Sequence, residues 1–160
     1  GCDFRWLIVG RGHADFTRRF PEAEKWGVHT IEDQPTSGSP SFNLPSDTLV
    51  ELYRSADLFA FPTLLETFGM VLVEALAAGL PIVTTNAPGV RDVIAHERNG
   101  LVAPAGDADA FTTNLLRLLE HPAERARFRK LSLAAAETYD WSHVVAQYRD
   151  LYRKTLENQR

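Results

Sequence analysis

Cysteine is scarce in this sequence, and neither sign of charge dominates. The 160 residues hold a single cysteine, Cys2, so no disulfide bond can form within the chain. The 17 Lys and Arg residues are set against 21 Asp and Glu residues, and no basic run is dense enough to neutralise a phosphate backbone. The net charge of −4 therefore argues against nucleic acid as a partner.

Long hydrophobic runs are missing as well. No apolar stretch approaches the roughly 20 residues that a helix needs to cross a bilayer. The chain opens on Gly1, with no signal-peptide pattern ahead of its first apolar run. We expect a cytoplasmic location and a chain cut from a longer protein. Residues 1–160, with 44% hydrophobic content, should form a single domain with a proper core.

Patterns typical of metal sites and of hydrolytic nucleophiles are also absent. The five histidines are scattered, and no pair of them has ligand spacing near a cysteine or a cluster of acids. No arrangement of Ser, His and Asp points to a nucleophile with its base. The residue pattern therefore predicts no metal site.

Short apolar runs bounded by Gly or Pro are the most regular feature that the sequence does contain. Such runs are typical of strands buried on both faces of a parallel sheet, and helical stretches lie between them. The predicted strands are 4–9, 27–31, 57–61, 81–85 and 100–103, and the predicted helices are 48–56, 69–78, 107–119, 122–138 and 142–156. This order predicts an α/β fold with a Rossmann-like, doubly wound parallel sheet and a helical C-terminal tail.

Several features mark the borders of these elements. Ser46 and Asp107 have the chemistry of helix N-caps, and Pro122 suits a first helical position.

Residues 32–46 hold three prolines and a Ser-Gly-Ser tract, which favours a mobile loop insertion, although a flap near a ligand is the alternative. The last helix carries an apolar stripe that packs either on its own sheet or on a missing domain. Its members are Val144, Val145, Tyr148, Leu151, Tyr152 and Leu156.

The loop after the third predicted strand, together with the helix that follows it, is the best candidate for a binding site. Ligands of open α/β sheets bind beyond the carboxyl ends of the strands, where helix N-termini present free N–H groups. Glu66 precedes this helix and Glu74 lies about one and a half turns inside it, so both carboxylates can accept hydrogen bonds from hydroxyl groups. The free N–H groups between them, which suit a diphosphate, belong to Phe68, Gly69, Met70 and Val71.

A structural interpretation of the same two acids has to be weighed beside this one. Glu66 could simply be a helix-start acid stabilised by the dipole, and Glu74 a solvated helix residue. Spacing alone favours that interpretation. Against it stands the apolar character of the helix, because a carboxylate in a mostly buried helix needs a partner. The neighbours of Glu74 are Val71, Leu72, Val73, Ala75, Leu76 and Ala77.

The stretch PTLLETFGMVLVEALAAGLPIVTT, residues 62–85, resembles the signature of retaining glycosyltransferases of the GT-B fold. That group includes sucrose synthase, bacterial glycogen synthase and many mannosyl- and glucosyltransferases. The flanking stretches LIVGRG, LYRSADLFAFP and NGLVAPAGDADAF are similar to the neighbouring strands and helices of the same family. The resemblance covers most of residues 4–156, apart from 32–46, and implies the C-terminal, donor-binding half of such an enzyme.

The resemblance implies a role for each motif residue. Glu66 would contact the hydroxyls of the transferred sugar, orienting it and stabilising charge, and Glu74 would hold the ribose diol. The amides from Phe68 to Val71 would bind sugar and phosphate groups of a UDP-, GDP- or ADP-linked hexose. Transfer would retain the anomeric configuration by a front-face route, with no metal and no cofactor.

The chain also departs from that family. The family places a Gly-Arg turn and a Lys, which stabilise the leaving diphosphate, on the first strand-helix unit of this domain. They are missing here, so we expect residues 1–160 to be a donor-binding domain truncated at its N-terminus. The N-terminal acceptor domain is also missing, and any peripheral membrane contact would belong to that absent half. Where the family often has Gly-Gly and then Glu, this chain has Pro88, Gly89 and Asp92, and Asp92 would be a shorter substitute.

Two other functions remain open from the sequence. A dinucleotide-dependent oxidoreductase is the first, because Gly10 and Gly12 follow a strand and an acid, Glu32 or Asp33, comes about 20 residues later. Asp15 would oppose a pyrophosphate and Pro21 interrupts the expected helix, so a tight turn is the better interpretation. A non-catalytic module that binds a nucleotide sugar is the second.

Overall fold

The computed structural model describes residues 4–10, 13–31 and 47–157. Contacts divide the chain into two compact units, Gly1–Leu52 and Tyr53–Arg160. The predicted insertion 32–46, its Ser46 cap and the acids Glu32 and Asp33 lie outside the described residues.

The first unit contains a small parallel sheet. Its elements are β1 (Trp6–Val9), α1 (His13–Arg19), a 3-10 turn (Ala23–Trp26) and β2 (Val28–Ile31), with Trp6 opposite Val28. Helix α1 was not predicted, and it ends before Pro21, where a proline would interrupt it. Gly27 has a φ of 75°, and a Cβ there would lie 2.9 Å from the carbonyl oxygen of Phe4.

The second unit is built on a three-stranded parallel sheet in the order β3-β4-β5. Helix α2 (Asp47–Ser55) runs across the boundary between the units, and Tyr53 near its end belongs to the second one. The remaining elements are β3 (Phe59–Phe61), α3 (Met70–Ala77), β4 (Ile82–Thr85), a 3-10 turn (Val90–Asp92), β5 (Leu101–Ala103), α4 (Ala108–Glu120), α5 (Pro122–Ala136), a 3-10 turn (Glu137–Tyr139) and α6 (Trp141–Glu157).

Apolar side chains cover both faces of this sheet. Successive residues of a strand point to opposite faces, so Ile82 joins one buried cluster and Val83 the other. The first cluster contains Leu72 and Leu76 of α3, and the second contains Leu118 of α4 and Phe128 of α5. The predicted α/β class with a parallel sheet between helices is confirmed, and the strands pair as two separate sheets within the described residues.

The described ends of the helices agree with the sequence in most places. The Asp107 carboxylate accepts a hydrogen bond from the Ala110 amide at 2.9 Å, which confirms the predicted N-cap of α4. Pro122 is the first residue of α5, as predicted. Gly79, with a φ of 72°, ends α3 in the left-handed conformation that glycine tolerates.

The apolar stripe of α6 stays largely uncovered. Leu151 is 57% exposed and Tyr152 is 64% exposed, so the second unit's own sheet does not bury the stripe among the described residues. Packing on another domain stays a prediction. Across the described ranges, no helix is both long enough and apolar enough to cross a membrane.

Candidate functional site

The loop 62–69 connects β3 to α3 and is fixed at its start by the end of β4. Thr84 Oγ1 donates to the Phe61 carbonyl at 3.0 Å, and Thr85 Oγ1 donates to the Thr63 carbonyl at 2.5 Å. Both threonines are buried. Their hydroxyls therefore have few other partners, and the bonds define the path by which the chain leaves the sheet.

A second anchor comes from the turn after β4. The Glu66 amide donates to the Pro88 carbonyl at 3.3 Å. Gly89 next to it has a φ of 82°, and a Cβ there would lie 2.3 Å from the Glu66 carbonyl oxygen and 2.7 Å from that of Thr67. Only glycine fits this approach, because both the space and the backbone conformation exclude a side chain. Sequence reasoning missed this role of Gly89; the Pro-Gly pair was the available signal.

Glu66 is half-buried in this anchored loop, four positions before Met70, the first residue of α3. Its Oε1 accepts hydrogen bonds from the Thr67 amide at 2.8 Å and from the Thr67 hydroxyl at 3.3 Å. Oε2 has no partner among the described residues. One carboxylate oxygen is thus held locally, and the other is open to a hydroxyl donor.

Gly69 determines where α3 begins. It is the N-cap, with φ 81° and ψ 52°, so the helix starts at Met70, one residue later than predicted. A Cβ at Gly69 would lie 2.9 Å from Cδ1 of Leu72. No side chain caps the helix. The four backbone N–H groups that the sequence predicted to be free donate no hydrogen bond within the described part of the chain. These groups, which keep their capacity to bind an anion, belong to Phe68, Gly69, Met70 and Val71.

Glu74 is half-buried in α3 and has a partner that sequence reasoning did not find. Its Oε2 accepts a hydrogen bond from the Tyr53 phenol at 3.0 Å. Burial, followed by the negative charge of Glu74, raises the pKa of Tyr53 well above its ordinary value, so the phenol remains a donor. A freely solvated Glu74 is not what the structure shows. Tyr53 lies on another helix, 21 positions away in the chain, where no local pattern connects the two residues.

Asp92, the proposed substitute for a family acid, is the exposed last residue of the 3-10 turn Val90–Asp92. Its backbone carbonyl accepts a hydrogen bond from the Tyr139 phenol at 3.2 Å, and the Tyr139 ring meets the Phe68 ring edge-on at 6.1 Å. Burial, then the charge of Asp92, raises the pKa of Tyr139. These contacts connect the turn to the loop before α3, while a ligand contact by the Asp92 carboxylate stays a prediction.

Metal coordination has no candidate in the residues that the structure describes, since no three His, Cys, Asp or Glu side chains there are grouped to hold an ion. The polar groups in this part of the chain are Glu66, Glu74 and the open amides at the start of α3. They lie on and after a loop that leaves the carboxyl end of a parallel strand, with apolar layers on both faces of the sheet. In α/β domains with a parallel sheet, ligands bind beyond the carboxyl ends of the strands, where helix N-termini present free N–H groups.

The chain belongs to the family described as glycosyl transferases group 1, whose pattern matches residues 41–132. It is 39% identical over 151 residues to a phosphatidyl-myo-inositol mannosyltransferase of Mycobacterium leprae, covering 94% of this chain and 38% of that protein. It is 33% identical over 109 residues to a D-inositol 3-phosphate glycosyltransferase of Corynebacterium urealyticum, covering 68% of this chain and 26% of that protein. The chain therefore spans well under half the length of these relatives.

Solved structures show the same fold. The sucrose-phosphate synthase of Thermosynechococcus elongatus superposes with a TM-score of 0.72 at 23% identity, over 95% of this chain and 38% of that one. Anabaena HepE in complex with UDP superposes with a TM-score of 0.71 at 20% identity, over 96% of this chain and 41% of that one. The predicted likeness to GT-B glycosyltransferases is confirmed.

Proposed function

We propose that this chain is the donor-binding domain of a retaining glycosyltransferase that moves a hexosyl group from a UDP-, GDP- or ADP-linked sugar to an acceptor. One observation carries the proposal: two half-buried acids, Glu66 and Glu74, lie on either side of an uncapped helix start. Family membership and the UDP complex of HepE support it. A dinucleotide-dependent oxidoreductase has no comparable support.

Each part of the donor has a chemically suited group in this arrangement. The diphosphate would bind the free amides of Phe68, Gly69, Met70 and Val71, where the helix dipole favours negative charge. A vicinal ribose diol donates two hydrogen bonds, and the Glu74 carboxylate can accept both. Glu66 would accept from hydroxyls of the sugar and would stabilise the charge that develops in the transition state. We expect no metal and no cofactor in this reaction.

The acceptor would be bound by a domain outside this chain. The relatives are much longer than this chain. We propose that the cations that stabilise the leaving diphosphate lie in a part of the donor-binding domain outside this chain, and that the acceptor domain supplies the other wall of the cleft and makes any peripheral membrane contact. We further propose a cytoplasmic enzyme of carbohydrate biosynthesis.

A panel of nucleotides in thermal unfolding tests the proposal. UDP-, GDP- or ADP-sugars should raise the Tm, whereas NAD should not, because only the former match the two acids and the amides between them. Saturation at one hundred times the Kd adds about 2.7 kcal/mol of stability. That corresponds to a rise of roughly 5–11 °C for a domain of this size. Stabilisation by NAD alone would overturn the glycosyltransferase function.

A further inference from the structure

Tyr53 lies near the end of α2, and its side chain contacts α3. Its ring packs against Phe59 with the ring centroids 5.7 Å apart, and its phenol oxygen lies 3.0 Å from Glu74 Oε2 and 3.5 Å from the Val71 carbonyl oxygen. A phenol has one proton to donate. The carboxylate is both nearer and charged, so the bond to Glu74 is the stronger of the two.

This bond fixes one of the two carboxylate oxygens of Glu74. A glutamate has three rotatable side-chain bonds, and an unrestrained carboxylate would sample several rotamers. With Oε2 engaged by Tyr53, the orientation of Oε1 is fixed as well, and no described residue donates a hydrogen bond to Oε1. The raised pKa of Tyr53 keeps the proton on the phenol, so the restraint persists over the whole neutral range.

We propose that Tyr53 is a positioning residue that holds Glu74 in the rotamer from which it accepts hydrogen bonds from the ribose diol of a nucleoside diphosphate. The inference rests on the proposed function and extends it, because it assigns the specificity for ribose to a pair of residues from two helices. Tyr53 does not touch the ligand. It acts by orienting the carboxylate before the ligand arrives, so its loss should reduce recognition of the diol more than binding of the phosphates.

The test compares UDP with 2′-deoxy-UDP on wild type and on Tyr53→Phe by titration calorimetry. Phenylalanine keeps the ring against Phe59 and removes only the hydroxyl. For wild type we expect UDP to bind about tenfold more tightly than its 2′-deoxy analogue, since a hydrogen bond to a charged group is lost. For Tyr53→Phe we expect UDP binding to weaken about tenfold and the preference over the analogue to fall below about threefold. GDP or ADP and their 2′-deoxy analogues replace UDP if they bind better.

Two further variants separate positioning from simple destabilisation. Ser132→Ala removes a buried hydrogen bond to the Leu80 carbonyl, and it should lower the Tm while leaving the UDP preference unchanged. Glu74→Gln should abolish the preference, and adding Tyr53→Phe to it should weaken UDP binding little further, because the two residues act as a unit. In turnover, Tyr53→Phe should raise the donor KM with kcat nearly retained.

The possible results distinguish failure of the positioning role from failure of the proposed function. If Tyr53→Phe binds UDP as wild type does, or weakens UDP and 2′-deoxy-UDP equally, the positioning role is refuted and the proposed function stands. If wild type binds none of UDP, GDP and ADP, the proposed function fails and the inference fails with it. A lowered affinity combined with a lost preference for the ribose supports both.

Discussion

Gly89 is the position at which a single methyl group should disturb the site most. A Cβ there would lie 2.3 Å from the Glu66 carbonyl oxygen and 2.7 Å from that of Thr67, so the loop before α3 would have to move. The contact is with backbone atoms, which cannot rotate away as the end of a side chain can. Gly89→Ala should therefore displace Glu66 and the amides that follow it.

A control variant separates the loss of stability in Gly89→Ala into two parts, the cost of the positive φ and the cost of the backbone contact. Gly106 has a φ of 85°, and a Cβ there would meet no atom within 4 Å, so Gly106→Ala should cost only about 1 kcal/mol for the positive φ. Gly89→Ala adds the displacement of backbone, typically about 1–3 kcal/mol more. A total near 3 kcal/mol corresponds to a Tm fall of roughly 6–12 °C, against roughly 2–4 °C for the control.

The assay is thermal unfolding of both variants, followed by UDP titration of each folded protein. We expect Gly89→Ala to lose most of its UDP affinity and Gly106→Ala to keep it. Equal losses of Tm in the two variants, together with unchanged UDP affinity in Gly89→Ala, would refute the view that Gly89 holds the loop in place.

The remaining predictions concern charged side chains. Glu74→Gln should weaken nucleotide binding, whereas Glu66→Gln in the full-length protein should chiefly lower kcat; unchanged binding and rate in both variants would return the acids to a structural role. Arg117, which is paired with Glu97 and Glu124, lowers the pKa of both acids through its hydrogen bonds. A lowered folded pKa gives stability above the ordinary value of 4.5 that is lost as the pH falls through the folded value. The Tm gap between wild type and Arg117→Met should thus be largest at neutral pH and should narrow as the pH falls below 4.5; a gap independent of pH would contradict this coupling.

The positions of the helices and strands could be predicted because their signals are local. Apolar runs bounded by Gly or Pro give the five strands, and Asp107 and Pro122 mark helix starts through bonds or dihedral angles within one turn. Helix α1 was missed because its seven residues carry no strong apolar period and end close to Pro21. The start of α3 was misplaced by one residue, since glycine at an N-cap and glycine in a first turn look alike in sequence.

In the candidate site, too, some features could be predicted from the sequence and others could not. The sequence by itself determined the two acids, the free amides between them and the family, because these lie in one continuous stretch, residues 62–85. Only the tertiary structure decided that Tyr53 holds Glu74 and that Gly89 supports the loop of Glu66. Those contacts join residues that are far apart in the chain. Their geometry depends on how helices and turns pack on the sheet, and the hydrophobic periodicity of the sequence does not predict that packing.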